Sequence, residues 1–164
     1  MLGSTFYPYS VGTHIVSAQW SGPSNTLTQD LSVTVSPGQA QTVELSGCDI
    51  VVNADTTCDL YATVFDQYDN LVWFDEVGTY SLSSTNGQTE KLLPNTPHSQ
   101  PPQANVLIGR FTGHDVGTWA ISITTDAGLT DLILVEVSHG AMASLELNAS
   151  ASTITADEVV YLNT

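Results

Sequence analysis

The sequence predicts an all-β chain built from β-sandwich modules in tandem, and three observations carry that prediction. The chain repeats itself at domain-sized spacing: Val11-Gly12-Thr13 returns as Val116-Gly117-Thr118, 105 residues later, and Val33-Thr34-Val35-Ser36-Pro37-Gly38 returns as Val135-Glu136-Val137-Ser138-His139-Gly140, 102 residues later. The match runs on through Val43-Glu44-Leu45 against Leu145-Glu146-Leu147, and Ala54-Asp55 against Ala156-Asp157. A period of about a hundred residues is the size of one whole sandwich domain rather than of a solenoid unit. Period-two alternation with β-branched residues dominates throughout, and no window of about a dozen residues carries a helical stripe. The expected organisation is therefore the C-terminal part of a first module over 1–35, a complete module over 36–138, and the opening strands of a third over 139–164. On that reading the chain is a piece of a longer protein.

Within the complete module the pattern predicts a strand at 41–46, an edge continuation at 49–53 and a longer strand at 58–66 with Leu60, Ala62 and Val64 facing inward. A turn follows at Gln67-Tyr68-Asp69-Asn70, where Asp and Asn bond their own backbone. Further strands are expected at 71–75, 78–84, 104–112, 117–125 and 129–137. In 117–125, Trp119, Ile121 and Ile123 alternate with Thr118, Ser122 and Thr124, one face for the core and one for water. The segment from Pro94 to Gln103 holds four prolines in ten residues. Proline cannot donate to a sheet ladder, so this is a long surface loop.

The charge balance narrows the partners. Seventeen acidic residues stand against Lys91 and Arg110, giving a net charge of −15. The imbalance comes from missing cations, so few intramolecular ion pairs can form. Nucleic acid is excluded, because no basic patch exists to displace phosphate counterions, and anionic membrane surfaces are excluded likewise. Such a surface suits saline or divalent-rich surroundings, where screening weakens self-repulsion. No stretch has the apolar length of a membrane span, and Met1-Leu2-Gly3-Ser4 lacks the regions of a secretory signal.

Cys48 and Cys58 both lie in the complete module and align with Ser150 and Val160 in the third copy. Joint loss between copies is what a disulfide between them would leave behind. That bond would point to an oxidising, extracytoplasmic setting. The sequon Asn148-Ala149-Ser150 is a candidate glycosylation site pointing the same way.

Several of these residues resemble the bacterial immunoglobulin-like repeats of surface proteins, the invasin/intimin type in particular. Ala62-Thr63-Val64-Phe65-Asp66-Gln67-Tyr68-Asp69-Asn70-Leu71-Val72 is similar to that family's strand–turn–strand signature A-T-V-x-D-x-x-G-N-x-V, with Asp69 where glycine is usual. Asp115-Val116-Gly117-Thr118-Trp119 resembles the D-x-G-x-Y corner of the immunoglobulin fold. Trp119 replaces the tyrosine, and an indole donates only through its ring nitrogen. Ala143-Ser144-Leu145-Glu146-Leu147 and Thr153-Ile154-Thr155-Ala156-Asp157 resemble the opening strands of such a repeat. The resemblance implies an immunoglobulin-like β-sandwich, and a rod of modules that holds something away from a cell surface.

Three candidate sites follow. Asp66, Asp69, Asn70, Asp75 and Glu76 lie within eleven residues and offer hard oxygen ligands for Ca²⁺; turn chemistry alone also explains them. Trp73 beside Tyr68 is a candidate sugar-stacking platform, with ordinary packing against the proline-rich loop as the alternative. Asp115, beside His114, could meet a neighbouring module. The remaining histidines have no metal-ligand spacing: His14 aligns with Trp119 and takes a packing position, His98 sits in the proline-rich loop, and His139 at a module boundary. No nucleophile–base arrangement or phosphate loop is present in the sequence.

The leading expectation is a non-catalytic repeat of an extracellular adhesin, surface-layer or filament stalk, with neighbouring immunoglobulin-like modules as partners. A second is an accessory, polysaccharide-binding module of a secreted hydrolase. A third is a self-assembling subunit in which the half-modules 1–35 and 139–164 exchange strands between chains.

Overall fold

The computed structural model describes residues 5–92, 100–140, 148–149 and 162–163. The chain is an all-β, immunoglobulin-like sandwich preceded by a separate hairpin. In the hairpin, β1 (Gly12–Ser21) pairs antiparallel with β2 (Thr26–Val35), and neither joins another sheet. The sandwich follows as β3 (Thr42–Gly47), β4 (Val51–Asn53), β5 (Thr57–Phe65), β6 (Tyr80–Ser84), β7 (Gln88–Lys91), β8 (Val106–Thr112), β9 (Gly117–Thr125) and β10 (Thr130–Ser138). One sheet has the order β3-β5-β8-β7 and the other β4-β10-β9-β6. β11 (Asn148–Ala149) and β12 (Leu162–Asn163) form a short antiparallel pair.

Alternation places the core where the sequence predicts it. Leu60, Ala62 and Val64 of β5 share one cluster with Ile108 and Phe111 of β8, Ile121 and Ile123 of β9, and Val135 and Val137 of β10, each at most 1% exposed. Burying each of the larger side chains contributes about 1.5–3 kcal/mol. One expected strand is absent and one observed strand was not expected. The run Leu71–Asp75 is not a strand: Leu71 makes one isolated bridge to Phe65, after which Phe74–Val77 forms a 3₁₀ turn. Phe74 and Val77 are both buried, and their i, i+3 spacing satisfies the core in a helical turn as well as alternation would in a strand. Conversely, β7 reads Gln-Thr-Glu-Lys, without an apolar alternation, because it is an edge strand with little to bury.

The first strand of the sandwich, β3, hands the chain on to the other sheet, and its sequence shows how. Gly47 has φ 108° and Cys48 φ 50°, both in the left-handed region. A Cβ on Gly47 would meet the Asp59 carbonyl at 2.2 Å, so glycine is required on two counts. The kink carries the chain from β3 across to β4, which pairs parallel with β10. A Cys48–Cys58 disulfide ties the crossover back to β5. A second tie joins the sheets at Tyr80, whose hydroxyl meets the carbonyls of Leu92 and Ile108, the latter at 2.7 Å. Burial pushes the Tyr80 pKa up to about 12, and Lys91 lies over its ring at 4.2 Å.

The disulfide closes a loop of sequence separation 10, worth about 3 kcal/mol in the chain-entropy model. Replacing both cysteines by serine is expected to lower the unfolding free energy by that amount in urea titrations. Reduction of the native chain should shift the midpoint equally.

Candidate functional site: the turn that clamps the hairpin

The turn 66–70 closes through backbone bonds from Asp66 N–H to the Asn70 carbonyl (3.0 Å) and from Asp69 N–H to the Asp66 carbonyl (3.2 Å). Asp69 occupies the left-handed region at φ 60°. That conformation favours glycine, and aspartate is among the few side chains that tolerate it.

Asp66 is 3% exposed, yet its carboxylate is fully engaged. It accepts N–H bonds from Gly38 (2.8 Å), Tyr68 (2.8 Å) and Asn70 (3.0 Å), and the Asn70 side-chain amide reaches its oxygens at 3.1 and 3.0 Å. Desolvation raises the pKa of such a group. Here the bonds from Gly38, the Asn70 amide, Tyr68 and the Asn70 backbone outweigh it and hold the pKa below the ordinary value.

Asn70 extends the network to the hairpin. Its side-chain carbonyl accepts from Val11 N–H (3.2 Å), while its amide donates to the Tyr9 carbonyl (3.0 Å). Bonding the carbonyl of residue 9 and the N–H of residue 11 is how one residue of a parallel strand reads its neighbour. The carboxamide therefore stands in for a peptide unit. Tyr9 then packs edge-on against Tyr68, ring centroids 5.0 Å apart. A cleft of about 380 Å³ between Pro8, Val35, Gln39 and the turn completes the junction.

The sequence-predicted calcium set is divided between two turns, Asp66, Asp69 and Asn70 here and Asp75 and Glu76 in the 3₁₀ turn. Among the described residues no three His, Cys, Asp or Glu side chains form a group that could hold a metal. Asp66 spends its oxygens on N–H donors, and Asp75 and Glu76 are carried off into the 3₁₀ turn. Trp73 and Tyr68 are engaged separately. Trp73 is half-buried and its ring nitrogen donates to the Gln100 carbonyl at 2.7 Å, at the end of the proline-rich loop, whereas Tyr68 meets Tyr9. Asn148 lies in β11, and its side chain falls outside the described residues, as do His98 and most of 94–103 and 139–164. The links from the turn to Gly38, Tyr9 and Val11 were not foreseen. A repeated Gly38/Gly140 was the available signal, but a side-chain amide mimicking a strand leaves no pattern in sequence.

The corner at the other end of the module is closed by Trp119, whose ring nitrogen donates to the Asp115 carbonyl four residues back at 2.9 Å. This is the bond a tyrosine hydroxyl makes in the related corner, remade with an indole. Gly117, at φ 148°, begins the strand. The hairpin repeats the device. His14 Nε2–H donates to the Ser10 carbonyl, again four residues back at 2.9 Å, and Gly12 has φ 131°. The pairings superpose as well. Gly12↔Val35, His14↔Val33, Val16↔Leu31 and Ala18↔Gln29 correspond to Gly117↔Val137, Trp119↔Val135, Ile121↔Ile133 and Ile123↔Asp131 under the two repeat offsets.

No protein-family model matches the chain, and no curated protein does. Among solved structures, a crystal structure of domains 4 and 5 of the S-layer protein SbsC is 17% identical with a TM-score of 0.44, covering 77% of this chain and 58% of that one. A longer crystal structure of the same S-layer protein, rSbsC(31-844), is 16% identical with a TM-score of 0.46, covering 94% and 25% respectively. The chain thus spans a little over half of the first and a quarter of the second.

The depressed Asp66 pKa sets a pH window. Its contribution is complete above the unfolded carboxylate value, about pH 4, and is lost as pH falls through the folded value. Asp66→Ala should cost about 3 kcal/mol at pH 7, since several N–H groups lose a charged acceptor. The variant should also show a shallower acid-side decline in denaturant titrations between neutral pH and pH 2. An unchanged acid slope would show that other carboxylates set it.

Proposed function

We infer that the chain is a run of immunoglobulin-like repeat modules from an extracellular or cell-surface protein, non-catalytic and used as spacers. The observation that carries this reading is the corner built twice, with the same glycine, the same i−4 ring–carbonyl bond and the same strand register. Serial copies of one domain build length, and stacking them end to end is their mechanical use. The Cys48–Cys58 disulfide supports an oxidising location. The sequence likeness to invasin/intimin-type repeats agrees with both. In cells that make the protein, an antibody against the sandwich should label intact cells or their secreted matrix. Labelling only after permeabilisation would sink the proposal.

On this reading β1–β2 is the last hairpin of a first module, and its face Val16, Trp20, Leu27, Leu31 and Val33 is the counterpart of the buried face of β9–β10. In the hairpin that face is open, with Trp20, Leu27 and Leu31 about 60% exposed. The covering sheet would come from preceding residues of the same polypeptide. The open face also favours a second reading, assembly by strand exchange between chains. Sedimentation across a concentration series separates the two. A constant monomer mass supports serial modules; mass rising with concentration, and reversed by Trp20→Ser, supports exchange.

A further inference from the structure

The clamp at residues 66–70 has a counterpart of its target at the far end of the sandwich, which no Asp-x-x-x-Asn turn among the described residues occupies. Under the repeat offsets, Tyr9, Ser10 and Val11 fall on His114, Asp115 and Val116, and Gly38 falls on Gly140. These are the segments flanking the hairpin that the clamp holds: the Tyr9 carbonyl and Val11 N–H by Asn70, the Gly38 N–H by Asp66. In the sandwich, His114, Val116 and Gly140 are all exposed, Val116 at 50%. The rim is nevertheless held in shape. Trp119 fixes the Asp115 carbonyl, Asn86 donates to the Asp115 carboxylate at 3.0 Å, and the His114 ring lies 2.8 Å from Asp55.

We propose that this rim, the carbonyl of His114 with the N–H groups of Val116 and Gly140, is the docking site for the Asp-x-x-x-Asn turn of a following module of the same kind. The incoming carboxamide would bridge His114 and Val116 as Asn70 bridges Tyr9 and Val11. The incoming buried carboxylate would accept from Gly140 as Asp66 accepts from Gly38. The chemistry required of the partner is specific: one carboxylate and one carboxamide, four residues apart on one turn. Because the contacts are made to peptide groups, two strongly acidic modules can join without an ion pair between them. A preformed rim loses little freedom on docking. This inference rests on the tandem reading and adds to it how the joints are made.

The test is amide hydrogen exchange by NMR, first in the chain as it stands. Val11 N–H should exchange slowly and Val116 N–H fast, and Asn70→Ala should speed Val11 by about tenfold or more while the amides of β5 and β8 stay protected. A Val11 rate unmoved by Asn70→Ala would overturn the clamp itself. Next, a second copy of residues 39–140 is joined directly after Gly140. The Val116 and Gly140 amides are expected to slow by about tenfold or more, and Asn70→Ala in the second copy alone should restore the fast rate at Val116. A second copy that is folded by its own β5 and β8 protection, with Val116 still exchanging fast, would overturn the proposal. So would a second copy that fails to fold beside an intact first one, since the joint is meant to accept it. Cell-surface labelling is unaffected by either result, so failure here and failure of the functional reading are told apart.

Discussion

One buried carboxylate holds the hairpin end of this molecule together. Asp66 is almost wholly shielded from water, and it stays charged because peptide N–H groups and one carboxamide supply what water would have. Those donors come from the linker before β3, from the turn itself and from Asn70. Asn70, in turn, is oriented by Asp66 so that its remaining valences face the hairpin. Without the carboxylate the amide keeps only its contacts to Tyr9 and Val11 to fix its direction, and the junction is weakened at both grips. The turn is thus a local structure with a distant consequence. Its first duty is to close β5 onto Leu71, and its second is to decide where the preceding hairpin points.

The two corners show how much side-chain chemistry one geometry accepts. A tyrosine hydroxyl, an indole N–H and an imidazole N–H differ in size and acidity, yet each can donate to a carbonyl one turn upstream. At 119 the indole also packs against the core, whereas at 14 the smaller imidazole serves in a hairpin with less to cover. What the position demands is a planar ring with a donor at its rim, following a glycine that can take positive φ.

Much of the scaffold was legible because it follows from alternation. Leu60, Ala62 and Val64 read as an inner face and are one, and Ile121 and Ile123 do the same across the sandwich. Joint loss of two cysteines between copies marked the disulfide. Legibility ended where burial and pattern separate. Leu71–Asp75 is apolar enough for a strand but is spent on a bridge and a 3₁₀ turn, and Gln88–Lys91 is polar enough for a loop but forms an edge strand. At the site, the sequence located the acidic turn and Asp69's unusual place in it. It offered two uses for the oxygens, cation ligands or turn bonds, but not the partners Asp66 takes, the backbone donors of Gly38 and Tyr68. Such partners are peptide groups, which every residue carries, so no side-chain pattern announces them.

The scarcity of cations has one more effect. Enzymes that cut after lysine or arginine have two bonds to choose from in 164 residues. The bond after Lys91 is guarded by Leu92, whose N–H is held by the Ile108 carbonyl at 2.8 Å. Arg110 lies inside β8, paired on both sides and tied to Asp59 at 3.0 Å. A protease must bind its substrate extended and unpaired, so neither bond is offered until the sheet itself opens. The same composition that leaves the surface negative therefore makes the folded chain a poor meal for the trypsin-like enzymes common outside cells.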